Sequence, residues 1–282
     1  GELGGTAARS VKNLGIDAYG GKPQGSALGA VRKERLGNFT KKIARAKGIK
    51  GDKQNKYKLF STGALPTLTY GHEVTGWTPE LLRTTRVKAA KALGIWTQGC
   101  ALDLVWATRP DQDPLNMVGG GFYIYCREWW NRSSAVLVQP CTLDAKTLCT
   151  AFRSAQEAVA APGHCWKHCQ GPLSVMLKWL GFVGWSVVSP IEFATAAGEP
   201  VNVTVGSPDL ARRMFVDSLR VKLIATEQQR FAERHGVNLT LPWALPVTRF
   251  IRSKKYTNLD KGLVTRIWGG GVCTGDRLYK WG

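Results

Sequence analysis

A chain of 282 residues with 44% hydrophobic side chains is long enough for a sizeable core and too apolar for a disordered segment. Its 39 Lys and Arg against 20 Asp and Glu give a formal net charge of +19, a surface that repels itself unless it meets a polyanion. That charge makes nucleic acid the expected partner, ahead of an anionic membrane surface, and no apolar run reaches the roughly 18–20 residues that a membrane-spanning helix needs.

Residues 1–30 are Gly-rich; the alternation in Ser10–Ala18 predicts a short strand and Tyr19–Ala30 a loop. From Val31 to Lys47, Leu36, Phe39, Ile43 and Ala46 recur at helical spacing, and the other face is almost wholly Lys and Arg. Residues 48–51 interrupt, and Asp52 can cap a second short helix through Thr62. Pro66 within an apolar segment predicts a broken helix or an extended passage. Thr78-Pro79-Glu80 is a helix start, with Leu81, Leu82, Val87, Ala89 and Leu93 as the buried side and Gly94 as the stop.

Residues 106–114 read as a loop, and Met117–Arg132 as an aromatic-dense stretch. Helical spacing returns in Leu143–Ala161 and in Pro172–Phe182. Strands at 185–188, 192–195 and 201–205 suggest a small hairpin with its turn at 197–200. The longest helix runs from Ser207 to His235, with Leu210, Met214, Val221, Ile224 and Phe231 predicted inside. Arg212, Arg213, Arg220, Lys222, Arg230 and Arg234 are predicted in water. After a Pro-punctuated link, Val247–Lys255 is basic and Leu259–Trp268 is a last helix, stopped by Gly269–Gly271. The expected fold is α+β and predominantly α-helical: a basic helical module over 1–98, then a mostly helical domain over 99–282 with a hairpin near 185–205.

Lys+Arg and Asp+Glu number 14 and 4 over residues 1–60, 4 and 2 over 61–100, 7 and 8 over 101–200, and 14 and 6 over 201–282. Two basic ends flank a neutral, Trp-rich middle, an asymmetry that solubility alone does not require. The seven cysteines, an odd set without a regular framework, are expected to be reduced thiols in a nuclear or cytoplasmic setting. The chain opens on Gly-Glu-Leu rather than Met and without a signal sequence, and is expected to be a segment of something longer.

The residues expected to grip nucleic acid are Arg32, Lys33, Arg35, Lys41, Lys42, Arg45, Lys47 and Lys58, extended by Arg83, Arg86, Lys88 and Lys91. Cations along one helix face neutralise successive phosphates without reading sequence. The bland reading is a solvated face, which generally mixes both signs. His164, Cys165, His168 and Cys169 invite a zinc reading, yet on a helix they form two pairs on adjacent faces, and half-buried helix residues explain them as well. Trp129 and Trp130 could stack on bases, but core packing suits a neutral segment better. Asp103, Asp111 and Asp113 lie in a Pro-rich stretch that suits a turn better than a two-metal centre. No catalytic residue, metal ligand or cofactor is assigned.

Val11–Gly20 (VKNLGIDAYG) and Leu65–Val74 (LPTLTYGHEV), with Trp77 beyond, carry a resemblance over about a third of the chain. Their order around a basic helical stretch resembles the region after the palm in retrotransposon-type (non-LTR-like) reverse transcriptases. Leu259–Tyr279 is similar to the helix and Gly-rich turn before a Cys/His knuckle in the same elements. The resemblance implies a thumb and linker that hold an RNA or RNA–DNA duplex by its backbone. The family's Asp-Asp motif is missing, so Mg²⁺ chemistry would belong to a palm outside this chain, and this chain alone is not expected to be catalytic. The rival readings are a structural RNA-binding subunit of a ribonucleoprotein and, with a divalent ion, a nuclease.

Overall fold

The computed structural model describes residues 10–13, 16–19, 27–48, 53–70, 77–95, 101–133, 144–169 and 171–235, with isolated positions between 253 and 264. The expectations for 241–246, 247–255 and 259–271 fall almost wholly outside the described residues, as do Gly71–Val74. Helices dominate, and the sheets are small and antiparallel, so the α+β, predominantly helical expectation holds.

Where the alternation predicts one strand, β1 (Ser10–Asn13) and β2 (Ile16–Tyr19) pair antiparallel, Val11 opposite Ala18. Helix α1 (Ala27–Gly48) begins four residues before Val31, because Ala27, Leu28 and Ala30 extend it with good helix formers. Phe39, Ile43 and Ala46 are buried along it, with Leu36 packed beside them. α2 (Lys53–Leu59) passes through a π turn (Phe60–Ala64) into α3 (Leu65–Thr69). The chain therefore stays helical through Pro66, which sits in the first turn of α3 where its missing N–H is not needed. The wider turn before it is closed by the Leu65 N–H on the Phe60 carbonyl.

α4 (Pro79–Ala92) starts and stops as its sequence dictates. Thr78 Oγ1 accepts from Leu81 N at 3.2 Å. At the far end Gly94 adopts φ +66°, its N–H reaches the Lys91 carbonyl at 3.2 Å, and Ile95 N–H reaches Ala90 at 3.0 Å. That pair of bonds satisfies the last carbonyls, and the left-handed residue between them favours glycine. The buried face differs from the predicted one: Leu81 and Val87 are only half-buried, while Thr85 and Arg86 lie inside.

α5 (Leu102–Ala107) already contains Trp106 and Ala107, where the sequence predicts loop; tight turns at Pro110–Gln112 and Pro114–Met117 follow. α6 (Gly120–Ser133), α7 (Ala145–Ala160) and α8 (Gly171–Val183) then pack with α9 (Pro208–His235) around an aromatic centre. Phe122 meets Phe193 and Phe215 at centroid distances of 5.5 Å, and Tyr125 stacks on Phe152 at 5.5 Å. β3 (Ser186–Ser189), β4 (Glu192–Ala194) and β5 (Pro200–Asn202) form an antiparallel meander that turns Phe193 and Val201 inward.

The stripe predicted for α9 is out of register. Ala211, Phe215, Val216 and Leu219 are buried, whereas Leu210 and Val221 are 55% and 56% exposed. The chosen face is the one that brings Phe215 to Phe122, and Gly119 permits it. A Cβ at Gly119 would stand 2.8 Å from Val216 Cγ2 and 3.0 Å from Arg212 Cγ. Arg212 and Arg220, predicted in water, instead donate to Asn116, at 3.1 Å to its carbonyl and 3.2 Å to its Oδ1.

One continuous apolar core joins Phe39 and Phe60 to Trp106, Phe122 and Leu219, and so runs across position 98. Trp179 Nε1 on α8 donates to the Trp77 carbonyl at 2.8 Å, at the entrance to α4.

Candidate nucleic-acid interface

A helix turning about 100° per residue carries side chains around its whole circumference, so seven cations on α1 cannot all share one role. Arg35 and Lys42 flank the buried stripe on the side of α3. Arg35 donates to the Tyr70 carbonyl, and its Cζ lies 5.1 Å from the centre of the Tyr70 ring. Lys42 Nζ donates to Thr67 Oγ1 at 2.6 Å and to the Gly63 carbonyl at 3.2 Å, bracing the π turn. On the other flank Lys88 Nζ, from α4, donates to Thr40 Oγ1 at 2.7 Å. These three cations tie helices together while remaining at the surface.

Lys33, Lys41 and Arg45 are exposed on the side of α1 away from the buried stripe, and Lys47 is exposed near its C-terminal end. Lys58 at the end of α2 and Arg83 and Lys91 on α4 are exposed as well. Arg32 falls on α1, but its side chain lies outside the described residues. Glu34 is the one acid within α1.

Arg86 is a correction. Its guanidinium is buried between two carboxylates: Nε and Nη2 donate to Asp113 Oδ1 and Oδ2 at 2.8 and 2.9 Å, and Nη1 donates to Asp103 Oδ1. Desolvation alone would favour the neutral form, but Asp113 and Asp103 outweigh it and hold the charge above its ordinary stability. A side chain so occupied has no face left for a phosphate. The same contacts explain two of the three acids. Asp103 on α5 and Asp113, which also accepts from Leu115 N at 3.0 Å, hold Arg86, while Asp111 is exposed near Tyr57. Burial, and then Asp111, push the Tyr57 phenol up.

His164, Cys165, His168 and Cys169 are not on an α-helix. Cys165 and Cys169 have extended backbones around a single tight turn, Trp166–His168, after Pro162-Gly163. Cys165 Sγ lies 3.6 Å from His168 Nδ1, which also accepts from Cys165 N at 3.2 Å, and the two imidazoles stand 5.7 Å apart. Among the described residues no three His, Cys, Asp or Glu side chains are grouped to hold a metal ion. Trp129 is buried against Tyr125, with ring centres 6.4 Å apart, and Trp130 is half-buried, so neither is an open stacking surface.

Tyr70 is the residue to which sequence reasoning gave no role. It ends α3, is exposed, and has Arg35 over its ring. Its place in the Leu65–Val74 stretch is visible in the sequence, but nothing local marks the partner, which is 35 residues upstream. α1 packs on α2, α3 and α4, whereas α9 packs on α5, α6 and α8; of the second basic end, residues 236–282 lie almost wholly outside the described ones. No described helix is long and apolar enough to cross a membrane. Compared with protein-family models, with curated proteins and with solved structures, the chain matches none.

Proposed function

We propose that this chain binds nucleic acid by its phosphate backbone through the outer side of α1, with Lys58, Arg83 and Lys91 extending the contact. In this reading it is the thumb and linker of a reverse-transcriptase-like polymerase, gripping an RNA or RNA–DNA duplex without catalytic carboxylates of its own. The observation that carries it is the charge of α1: seven Lys and Arg against Glu34, with Lys33, Lys41, Arg45 and Lys47 exposed. From Lys33 to Arg45 the helix rises about 18 Å, room for roughly five phosphates of one strand.

The test is anisotropy of a labelled RNA–DNA duplex across a salt series. Log K is expected to fall with log salt by about 0.9 for each phosphate neutralised. Lys41→Glu combined with Arg45→Glu should lower that slope by about 2 and leave the circular dichroism spectrum unchanged. Lys42 and Lys88 are poor choices for reversal, because each also bonds a neighbouring helix. Affinity that stays flat between low and physiological salt would overturn the proposal.

A further inference from the structure

Resting on that phosphate-binding reading, we infer that Tyr70 is a stacking platform for an unpaired base, so that the preferred ligand carries a single-stranded nucleotide beside the phosphates held by α1. Tyr70, a large aromatic side chain at the end of α3, is left 53% exposed. Its main chain is nonetheless fixed. Tyr70 N donates to the Pro66 carbonyl at 3.1 Å, and its own carbonyl accepts from Arg35. Arg35 covers one side of the ring at 5.1 Å, and the residue is still 53% exposed. A guanidinium against one π face makes a rigid backing for a second flat group on the other.

The surroundings select the kind of group. Lys42 reaches the same segment through Thr67, and Arg45 and Lys41 follow round the outer side of α1. From Arg35 to Arg45 the helix rises about 15 Å, so a strand with one base on Tyr70 can lay its next few phosphates along these cations. An aromatic face beside a row of cations is how proteins hold single strands without reading sequence. A duplex keeps its bases stacked inside and offers Tyr70 nothing to stack on except at a frayed or overhanging end.

The test uses the full chain and three labelled probes: an oligouridine strand, an abasic strand of equal length, and a blunt duplex. Tyr70→Ala should weaken the oligouridine complex by about 5- to 150-fold, the range for losing one stacked base. It should leave the abasic and duplex complexes, and every salt slope, as in the wild type. Tyr70→Trp should hold or tighten the oligouridine complex. If Tyr70→Ala binds oligouridine as tightly as the wild type while Lys41→Glu with Arg45→Glu still lowers the salt slope, stacking is wrong and phosphate binding stands. If the wild type binds none of the probes in a salt-dependent way, both fall. Should the alanine variant melt early, wild-type chain photo-crosslinked to a 5-iodouracil strand decides: an adduct at Tyr70 supports the inference, and adducts confined to other residues overturn it.

Discussion

Replacing Arg86 by Met removes one cation from between two carboxylates and leaves both behind. The side chains concerned are 4% (Arg86), 11% (Asp103) and 1% (Asp113) exposed. Asp113 would keep one donor, Leu115 N at 3.0 Å, and Asp103 would lose the guanidinium donor that faces it. Breaking a buried ion pair from one side costs about 3–5 kcal/mol, because the remaining charge is desolvated and unpaired. Here one cation serves two carboxylates, which argues for the upper part of that range, while the slight exposure of Asp103 admits water and argues against its extreme. A loss of about 4 kcal/mol is a large share of a typical stability of about 5–15 kcal/mol. At about 2–4 °C per kcal/mol for a chain near this size, the melting temperature should fall by about 8–16 °C.

Urea titration followed by tryptophan fluorescence gives the free energy, and a thermal scan gives the midpoint. Removing the acids as well, by Arg86→Met with Asp103→Leu and Asp113→Asn, should recover at least half of the loss; asparagine keeps an acceptor for Leu115 N. The control is three residues away. Arg83 is exposed on the same helix, and Arg83→Met should change stability by less than about 0.5 kcal/mol while weakening duplex binding. A stability change under about 1 kcal/mol for Arg86→Met, with duplex binding lost, would mean that its guanidinium faces solvent and that the ion triad is wrong.

Gly119→Ala should destabilise by about 1–3 kcal/mol through the clash with Val216 and Arg212, and Val216→Ala in the same chain should recover part of it in the same titration. The Cys126 thiol is fully buried and pushed far up by that burial, so iodoacetamide at pH 8 should modify it only as fast as the chain unfolds globally, as mass spectrometry of timed samples would show. Burial, then Lys178 and His168, hold the His164 imidazole below its ordinary value. The folded chain therefore resists a proton that the unfolded chain accepts. Stability from this group is present above about pH 6.5 and declines as pH falls through that value. An NMR titration in which His164 titrates at or above the ordinary value would contradict the packing of that turn.

The parts of this fold legible in the sequence are those whose causes lie within one helical turn. Thr78, Pro79 and Glu80 start α4, and Gly94 ends it, with no help from elsewhere. The spacing of Phe39, Ile43 and Ala46 likewise fixes which side of α1 is buried. The burial of Arg86 is not legible, because its partners are 17 and 27 residues away in a stretch with the composition of a turn. On α9 two stripes satisfy helical spacing, one through Leu210 and Met214 and one through Ala211 and Phe215. The choice is made by Phe122 and the space over Gly119, which periodicity does not see. The spacing of the His/Cys run fits a helix, but Cys165, just after Pro162-Gly163, has an extended backbone, and only three residues turn before Cys169. For the interface, the sequence supplied the cations but not their division, among the described side chains, into three that bond neighbouring helices, one that is buried and seven that are exposed.

That division also bears on whether the basic module can stand alone. A boundary at 98 predicts that residues 1–98 fold as a unit. The core predicts otherwise, because Trp77, Leu82 and Ala89 belong to a cluster completed by Trp106, Leu115, Phe122 and Trp179. Cutting at 98 would also take away Asp103 and Asp113, and a guanidinium without its carboxylates is best solvated by unfolding the helix that buries it. The Trp77 carbonyl would lose its Trp179 donor in the same cut. The expected result is a 1–98 fragment with a helical far-ultraviolet spectrum weaker than its share of the whole, no cooperative thermal transition, and rapid proteolysis beyond Thr69. Such a fragment would still bind duplex at low salt through its charge, because counterion release needs cations rather than a fixed shape. It would lose the difference between oligouridine and abasic strands, because Arg35 and Tyr70 meet only when α1 and α3 are packed. A fragment that melts cooperatively at the midpoint of the full chain would show that the core is divisible at 98 and that Arg86 does not need its distant acids.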